Sequence, residues 1–210
     1  MADLAALAAA IEAGDRATAA AITQEAVAEG VDPKSVLDAM TGAMEVIGRR
    51  FQCSEIYVPE MLISARAMKE ATAILEPVLT AAGLRPEHTA VIGTIKGDLH
   101  DIGKNLVAMM WKGANIEVVD LGANVTAEAF VAAAREHGAS LVGVSALLTT
   151  TMVGMKDVVA AIRAAGLGDV KVIVGGAPVT AEYAASIGAD GYAPDAASAV
   201  EVAKQAVGMA

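Results

Sequence analysis

The chain has 210 residues, of which 55% are hydrophobic and only 3% aromatic, so one large domain or two small ones must build their cores from Ala, Val, Ile, Leu and Met. A net charge of −10 argues against a nucleic-acid partner, whose phosphates need a basic face, and the single cysteine, Cys53, excludes an internal disulfide and any cysteine-based zinc or iron–sulfur centre. No apolar run approaches the roughly 20 residues that span a bilayer, and the start Met1-Ala2-Asp3-Leu4 lacks the basic segment of a secretion signal. The expectation is a soluble, cytoplasmic protein with no membrane partner.

Residues 1 to about 85 read as helices. Leu4, Leu7, Ala8 and Ile11 form one apolar stripe that Gly14 ends. Asp15 caps a second helix through Ala28, closed by Gly30, and Asp32-Pro33 places a capping residue before a proline at the first helical position. The third helix carries Val36, Leu37, Met40, Met44 and Ile47 to about Phe51. After a break at Gln52 to Tyr57, a fourth runs from Pro59 to about Ala82. Short joints between four helices predict a small bundle, with Met40, Met44, Met61 and Met68 as core packing. Gly83 to His88, with Pro86, forms a linker.

From Thr89 onward, apolar runs alternate with amphipathic ones. Strands are expected at 90–95, 116–121, 140–146, 170–175 and 189–192, with helices at 102–113, 126–137, 152–165, 180–187 and 195–207. Asn124-Val125-Thr126 and Pro194-Asp195 supply caps. The predicted fold class is therefore α/β: an N-terminal four-helix bundle over 1–85, followed over 86–210 by a flavodoxin-like (Rossmann-type) doubly wound five-stranded parallel sheet of order 2-1-3-4-5.

Chemistry concentrates where the first strand ends, in Gly97-Asp98-Leu99-His100-Asp101-Ile102-Gly103-Lys104-Asn105. A carboxylate beside an imidazole holds one ring nitrogen as a donor and frees the other as a metal ligand. The same pair also serves as a plain loop-stabilising hydrogen bond, so Asp-x-His alone decides nothing. Two later strand ends change the odds. Ser145-Ala146-Leu147 follows Gly103 after 41 residues (104–144), and Gly175-Gly176 follows Leu147 after 27 (148–174).

DxHxxG, then SxL, then GG at these separations resembles the cobalamin-binding domain of methionine synthase, of certain carbon-skeleton mutases and of the small corrinoid proteins of anaerobic methyltransferase systems. Gly48-Arg49-Arg50-Phe51 through Tyr57-Val58-Pro59-Glu60-Met61-Leu62 is similar to the helical module that precedes it in the corrinoid proteins, so the resemblance covers nearly the whole chain: 1–85 as a helical cap domain and 86–210 as the cobalamin-binding domain. It implies a cobalamin (corrinoid) cofactor whose own lower base leaves cobalt, with His100 taking the axial position and Asp98 accepting from the other ring nitrogen. Asp101, Ile102 and Gly103 would flank the ligand, Gly103 by allowing close approach. Ser145 would hydrogen-bond the buried base, Leu147 would pack beside the slot, and Gly175-Gly176 would leave space for the nucleotide tail. Thr151, six residues beyond Ser145 in the run Thr149-Thr150-Thr151, stands where the family extends the relay with a hydroxyl. Thr149 is carried as a further contact, although these threonines also read as a helix start. Met61, Leu62 and Ala65 are the candidate cap residues over the corrin. Lys96, Lys104 and Asn105 read as solvated surface, with a nucleotide phosphate as the other reading.

The function implied is a corrinoid methyl carrier. It would accept a methyl group on Co(I) from a partner methyltransferase that demethylates a methylamine, methanol or a methoxylated aromatic. It would pass that group via methyl-Co(III) to a second methyltransferase acting on coenzyme M or tetrahydrofolate. A reductive activase is the third expected partner, and the carrier alone would turn nothing over. The alternatives are the cobalamin subunit of an adenosylcobalamin-dependent mutase, which generally lacks the helical module, and a cobalamin-dependent sensor, for which no basic DNA-binding segment is present. A flavin or receiver-type module on the same fold would leave His100, SxL and GG unexplained.

Overall fold

The computed structural model describes residues 2–209. Contacts divide the chain into two units, one of residues up to Pro86 together with Gly113–Asn115, the other of Glu87–Lys112 with Ile116 onward.

The first unit is helical: α1 (Leu4–Ala13), α2 (Arg16–Ala28), α3 (Pro33–Gln52) and α4 (Val58–Ala81). Side-chain caps set three of the starts. Asp3 accepts from the N–H groups of Ala5 and Ala6, Asp15 from Thr18, and Asp32 from Ser35, satisfying donors that a helix end otherwise orphans. The fourth start is tied by the Tyr57 N–H donating to the Glu60 carboxylate (3.0 Å). Helix α2 packs on α4 and α1 on α3, with α3 also against α4. All four stripe methionines, Met40, Met44, Met61 and Met68, are buried, as an unbranched gap-filler should be where aromatics are scarce.

The second unit is a five-stranded parallel sheet of order β2-β1-β3-β4-β5, from β1 (Thr89–Thr94), β2 (Glu117–Asp120), β3 (Leu141–Ser145), β4 (Lys171–Gly175) and β5 (Gly191–Ala193). The connecting helices are α5 (Ile102–Gly113), α6 (Ala127–Glu136), α7 (Thr149–Met152), α8 (Met155–Ala164) and α9 (Ala181–Ser186), with α10 (Ala196–Val207) last. Central strands buried on both faces explain the near-continuous Val and Ile runs. At the carboxyl edge the register sets Thr94 beside Ser145, Ser145 beside Gly175 and Gly175 beside Ala193. Strand order reverses between β1 and β3, and crevices at such switch points are where open α/β sheets take ligands. Trp111, fully buried, lies over Gly143, where an added Cβ would come within 2.7 Å of the indole, and its N–H donates to the Ala199 carbonyl (2.9 Å).

Two sequence expectations are corrected. The helix expected over 152–165 begins only at Met155, as α8, and a separate short helix, α7, precedes it; between them Gly154 lies against Ile95 (3.2 Å from a Cβ built there). The strand expected at 189–192 is Gly191–Ala193, since Ala189 still closes the end of α9 through its N–H to Ala184 O (3.0 Å). Among the described residues no helix is long and apolar enough to cross a membrane.

Candidate functional site

The loop after β1 and the loop after β3 meet at one carboxylate. Asp98 has no solvent exposure. Its Oδ1 accepts from the His100 N–H (3.0 Å) and pairs with His100 Nδ1 (2.7 Å). Its Oδ2 accepts from the N–H groups of Leu147 (2.8 Å) and Leu148 (3.2 Å) and from the Thr151 hydroxyl (2.7 Å). Asp98 therefore stitches β1 to β3 across the switch point.

Burial by itself would raise the Asp98 carboxyl. The N–H groups of Leu147 and His100, the Thr151 hydroxyl and the His100 ring outweigh it and hold the group well below the usual carboxylate range. An ionised carboxylate only accepts, so the proton in the short contact to His100 sits on Nδ1. In the neutral form of the ring the lone pair is then on Nε2. The imidazole side chain is 54% exposed, so this nitrogen is offered outward rather than used up inside.

The backbone of His100 is fixed as well as its ring. Its N–H is on Asp98, and its carbonyl accepts from the buried Thr94 hydroxyl (3.1 Å). Asn124, at φ 60, braces the loop from the β2 side: its Oδ1 takes the Gly97 N–H (2.8 Å) and its own N–H donates to Asp98 O (3.0 Å). The loops that converge on Asp98 carry large apolar side chains in solvent: Leu99 75%, Ile102 76%, Leu147 43%, Leu148 41% and Val153 62% exposed. Such clustering marks a surface made to be covered.

Among the described residues no group of three or more His, Cys, Asp or Glu could hold a metal ion. A bare ion is thus a poor fit. A metal already held equatorially by a macrocycle needs one axial donor and an apolar bed, and one outward imidazole nitrogen among exposed leucines and isoleucine supplies both.

Comparison with known proteins gives the family. Residues 88–201 match the B12 binding domain family, and residues 4–76 match a second family described as a B12 binding domain. A corrinoid protein of Desulfitobacterium hafniense is 41% identical over 200 residues, covering 93% of each chain. The chain belongs to the corrinoid proteins with B12 binding domains. This corrinoid protein is also 40% identical over 197 residues to trimethylamine corrinoid protein 2 of Methanosarcina mazei, covering 92% of this chain and 90% of that one. Among solved structures it is similar to the methanol:cobalamin methyltransferase complex of Methanosarcina barkeri (TM-score 0.86, 30% identity, 99% of this chain and 80% of that one). It is also similar to a cobalamin-binding protein of D. hafniense (TM-score 0.83, 30% identity, 99% of this chain and 100% of that one).

Of the residues singled out in the sequence of this corrinoid protein, Asp98, His100, Leu147 and Thr151 are gathered at one point. Thr151 is not simply a helix start: the α7 N-cap, Leu148, makes no side-chain cap hydrogen bond, and the Thr151 hydroxyl lies 2.7 Å from Asp98 Oδ2 and 3.0 Å from Leu148 O. Thr149 is exposed at the first position of α7. Asp101 is half-buried and its carbonyl accepts from the Asn105 N–H (2.8 Å) as α5 begins. Gly103 is exposed with nothing within 4 Å of a Cβ built on it, so the space there is open. Ser145 is half-buried at the end of β3, directly opposite Gly175 of β4.

The two glycines of the GG pair are required first by the chain itself. A Cβ on Gly176, which sits at φ 121, would lie 1.9 Å from Ala146 O, and one on Gly175 would lie 2.7 Å from Ala193 O. They let backbone meet backbone at the sheet edge. Met61, Leu62 and Ala65 belong to α4, in the helical unit, where Met61 and Ala65 are buried and Leu62 is half-buried.

Lys104 corrects the sequence reading outright. It is 1% exposed, not solvated, with Nζ on both carboxylate oxygens of Asp120 (2.6 and 2.5 Å) and on Asn105 Oδ1 (2.6 Å). Leu148, Leu99 and Asn124 were missed as site residues. Bare leucines inside polar loops were the signal for the first two, and an asparagine just past a strand was the signal for the third.

Proposed function

We propose that this corrinoid protein is the methyl-carrier subunit of a multi-component methyltransferase, with cobalamin held from below by His100. The observation that carries the reading is the ionised, buried Asp98 paired with Nδ1 of a half-exposed imidazole, which leaves Nε2 available as a metal donor. Cobalt in the bound macrocycle supplies a centre that takes up and gives up a methyl group.

The chain's own residues do the rest. His100 would donate to the metal, with Asp98 setting its tautomer and basicity as carboxylates behind ligating histidines do. Thr151 completes the relay by donating to Asp98 Oδ2. The exposed Leu99, Ile102, Leu147, Leu148 and Val153 would supply apolar surface that excludes water from the bound group. Ser145 and Leu147, with Gly175-Gly176 at the neighbouring strand end and Asp101, Gly103 and Thr149 at the loop rims, line the way for the displaced base and its tail. Met61, Leu62 and Ala65 are the helical unit's candidates for contact with the cofactor.

Similarity to corrinoid proteins named for trimethylamine and to a methanol:cobalamin methyltransferase complex supports a loading partner that demethylates a methylamine or methanol, with a methoxylated aromatic as the third donor class. A second methyltransferase would unload to coenzyme M or tetrahydrofolate, and a reductive activase would restore adventitiously oxidised cobalt. Purified protein mixed with hydroxocobalamin should stay red through gel filtration. A colourless protein peak would defeat the reading, and retention without methyl transfer in the presence of both classes of partner would defeat the carrier role.

A further inference from the structure

Lys104 is among the largest fully buried side chains, and a lysine is almost never buried unless it is paired. Its three N–H donors are all used: two on Asp120 and one on Asn105. Asp120 ends β2, opposite Ile92 of β1. Its Oδ1 also accepts from the Gly122 N–H (2.9 Å). The Gly122 carbonyl in turn accepts from the Thr94 N–H (2.9 Å), and the Thr94 hydroxyl donates to the His100 carbonyl (3.1 Å).

A continuous path thus runs from Lys104 through Asp120, Gly122 and Thr94 back to His100. Lys104 lies in the first turn of α5, four residues beyond His100. The loop's way in, at Thr94, and its way out, at Lys104, are therefore both moored to one carboxylate on β2. Asp98 moors the same loop to β3. The imidazole sits between two anchors on opposite sides of the switch point, only one of which is the Asp-His pair itself.

We infer that Lys104 and Asp120 are positioning residues for His100, holding the loop on its β2 side so that the outward nitrogen stands where an axial ligand must. This rests on the reading of His100 as the axial donor. A buried pair that merely fastened α5 to β2 would support the fold and leave metal ligation untouched, and that difference is measurable.

The test uses the full chain, uniformly labelled with 15N, loaded with unlabelled hydroxocobalamin and reduced to Co(II) for EPR. A protein histidine on cobalt splits each cobalt line into a doublet. The cofactor's own 14N base, if it stays on the metal, gives a triplet. Wild-type protein should show the doublet; its absence there overturns His100 as ligand and with it the proposed function, not the mooring specifically. With that control in place, Lys104→Met, shown folded by circular dichroism, should lose a measurable share of the doublet and bind cobalamin about 10-fold more weakly or worse, as removal of outer partners of a metal ligand does. A doublet retained in full overturns the inference, whatever happens to stability. If Lys104→Met does not fold, Asp120→Asn, which keeps an oxygen for the Gly122 N–H, is read the same way and decides the matter by the same doublet.

Discussion

Two buried ionic sites flank one loop, and they are built in opposite senses. At the β3 side the acid is buried and the base exposed: Asp98 has no solvent exposure and the His100 side chain has 54%. At the β2 side the base is buried and the acid exposed: Lys104 has 1% and the Asp120 side chain 35%. The difference lies in who satisfies the buried member. Four of the five donors to Asp98 are not the imidazole: the N–H groups of His100, Leu147 and Leu148, and the Thr151 hydroxyl. Two of the three acceptors around Lys104 belong to Asp120 alone. His100 is therefore free to engage something outside the chain without orphaning its partner, whereas Asp120 is not. A ligand residue needs that independence and an anchor does not.

The largest effect should come from removing the buried acid. Asp98→Ala leaves a cluster of buried donors unpaired and should destabilise the sheet unit by about 3–5 kcal/mol in urea unfolding; a loss below about 1 kcal/mol would mean that water replaces the carboxylate and the site is not closed. The same group sets a pH dependence. Because its folded value is depressed, its contribution is fully present above the unfolded carboxylate value of about 4 and is lost as pH falls below that toward the folded value. The stability gap between wild type and Asp98→Asn should stay flat from neutral pH down to about 5 and narrow below about 4.

The second site should show the reversed asymmetry. Asp120→Ala strands a buried ammonium and should cost about 3 kcal/mol, more than Lys104→Met at about 1 kcal/mol, whose surviving carboxylate reaches water. Equal losses in chemical denaturation would erase the distinction between exposed and buried partners.

Smaller still is Thr151→Val, which removes one hydroxyl donor from Asp98 and should cost about 1 kcal/mol, with Thr151→Ser restoring it. Smallest is His100→Ala. The ring is half in solvent and four donors remain on Asp98, so the midpoint should move by less than about 1 kcal/mol, while the histidine doublet on Co(II) disappears. A large loss of stability in His100→Ala would make the imidazole a structural strut and break the comparison.

Local signals carried much of the architecture. Aspartates ahead of apolar stripes announced the starts at Asp15 and Asp32, and those carboxylates do take the first helical N–H groups; the same role of Asp3 emerged only in the fold. The alternation after Thr89 gave the strand order, because consecutive parallel strands joined by helices leave few right-handed ways to wind. Where such signals failed, a distant partner had intervened. The break between α7 and α8 depends on Gly154 fitting against Ile95, a contact that no helical periodicity reports. Lys104 looks like any surface lysine in the first turn of a helix until Asp120, 16 residues on, arrives beside it.

For the site, the sequence by itself determined the Asp98–His100 pair, since two residues separated by one on a turn meet through local geometry. It also determined the separations of Ser145, Leu147 and Gly175-Gly176, because each ends a strand and parallel strands end at the same edge. The tertiary structure alone decided that Asp98 is sealed, that Thr151, 53 residues away, donates to it, that the N–H groups of the exposed Leu147 and Leu148 meet the same carboxylate, and that a buried Lys104 pairs with Asp120 beside the loop. Those facts depend on which atoms are left without water, and burial is a property of the assembled fold that no stretch of chain possesses on its own.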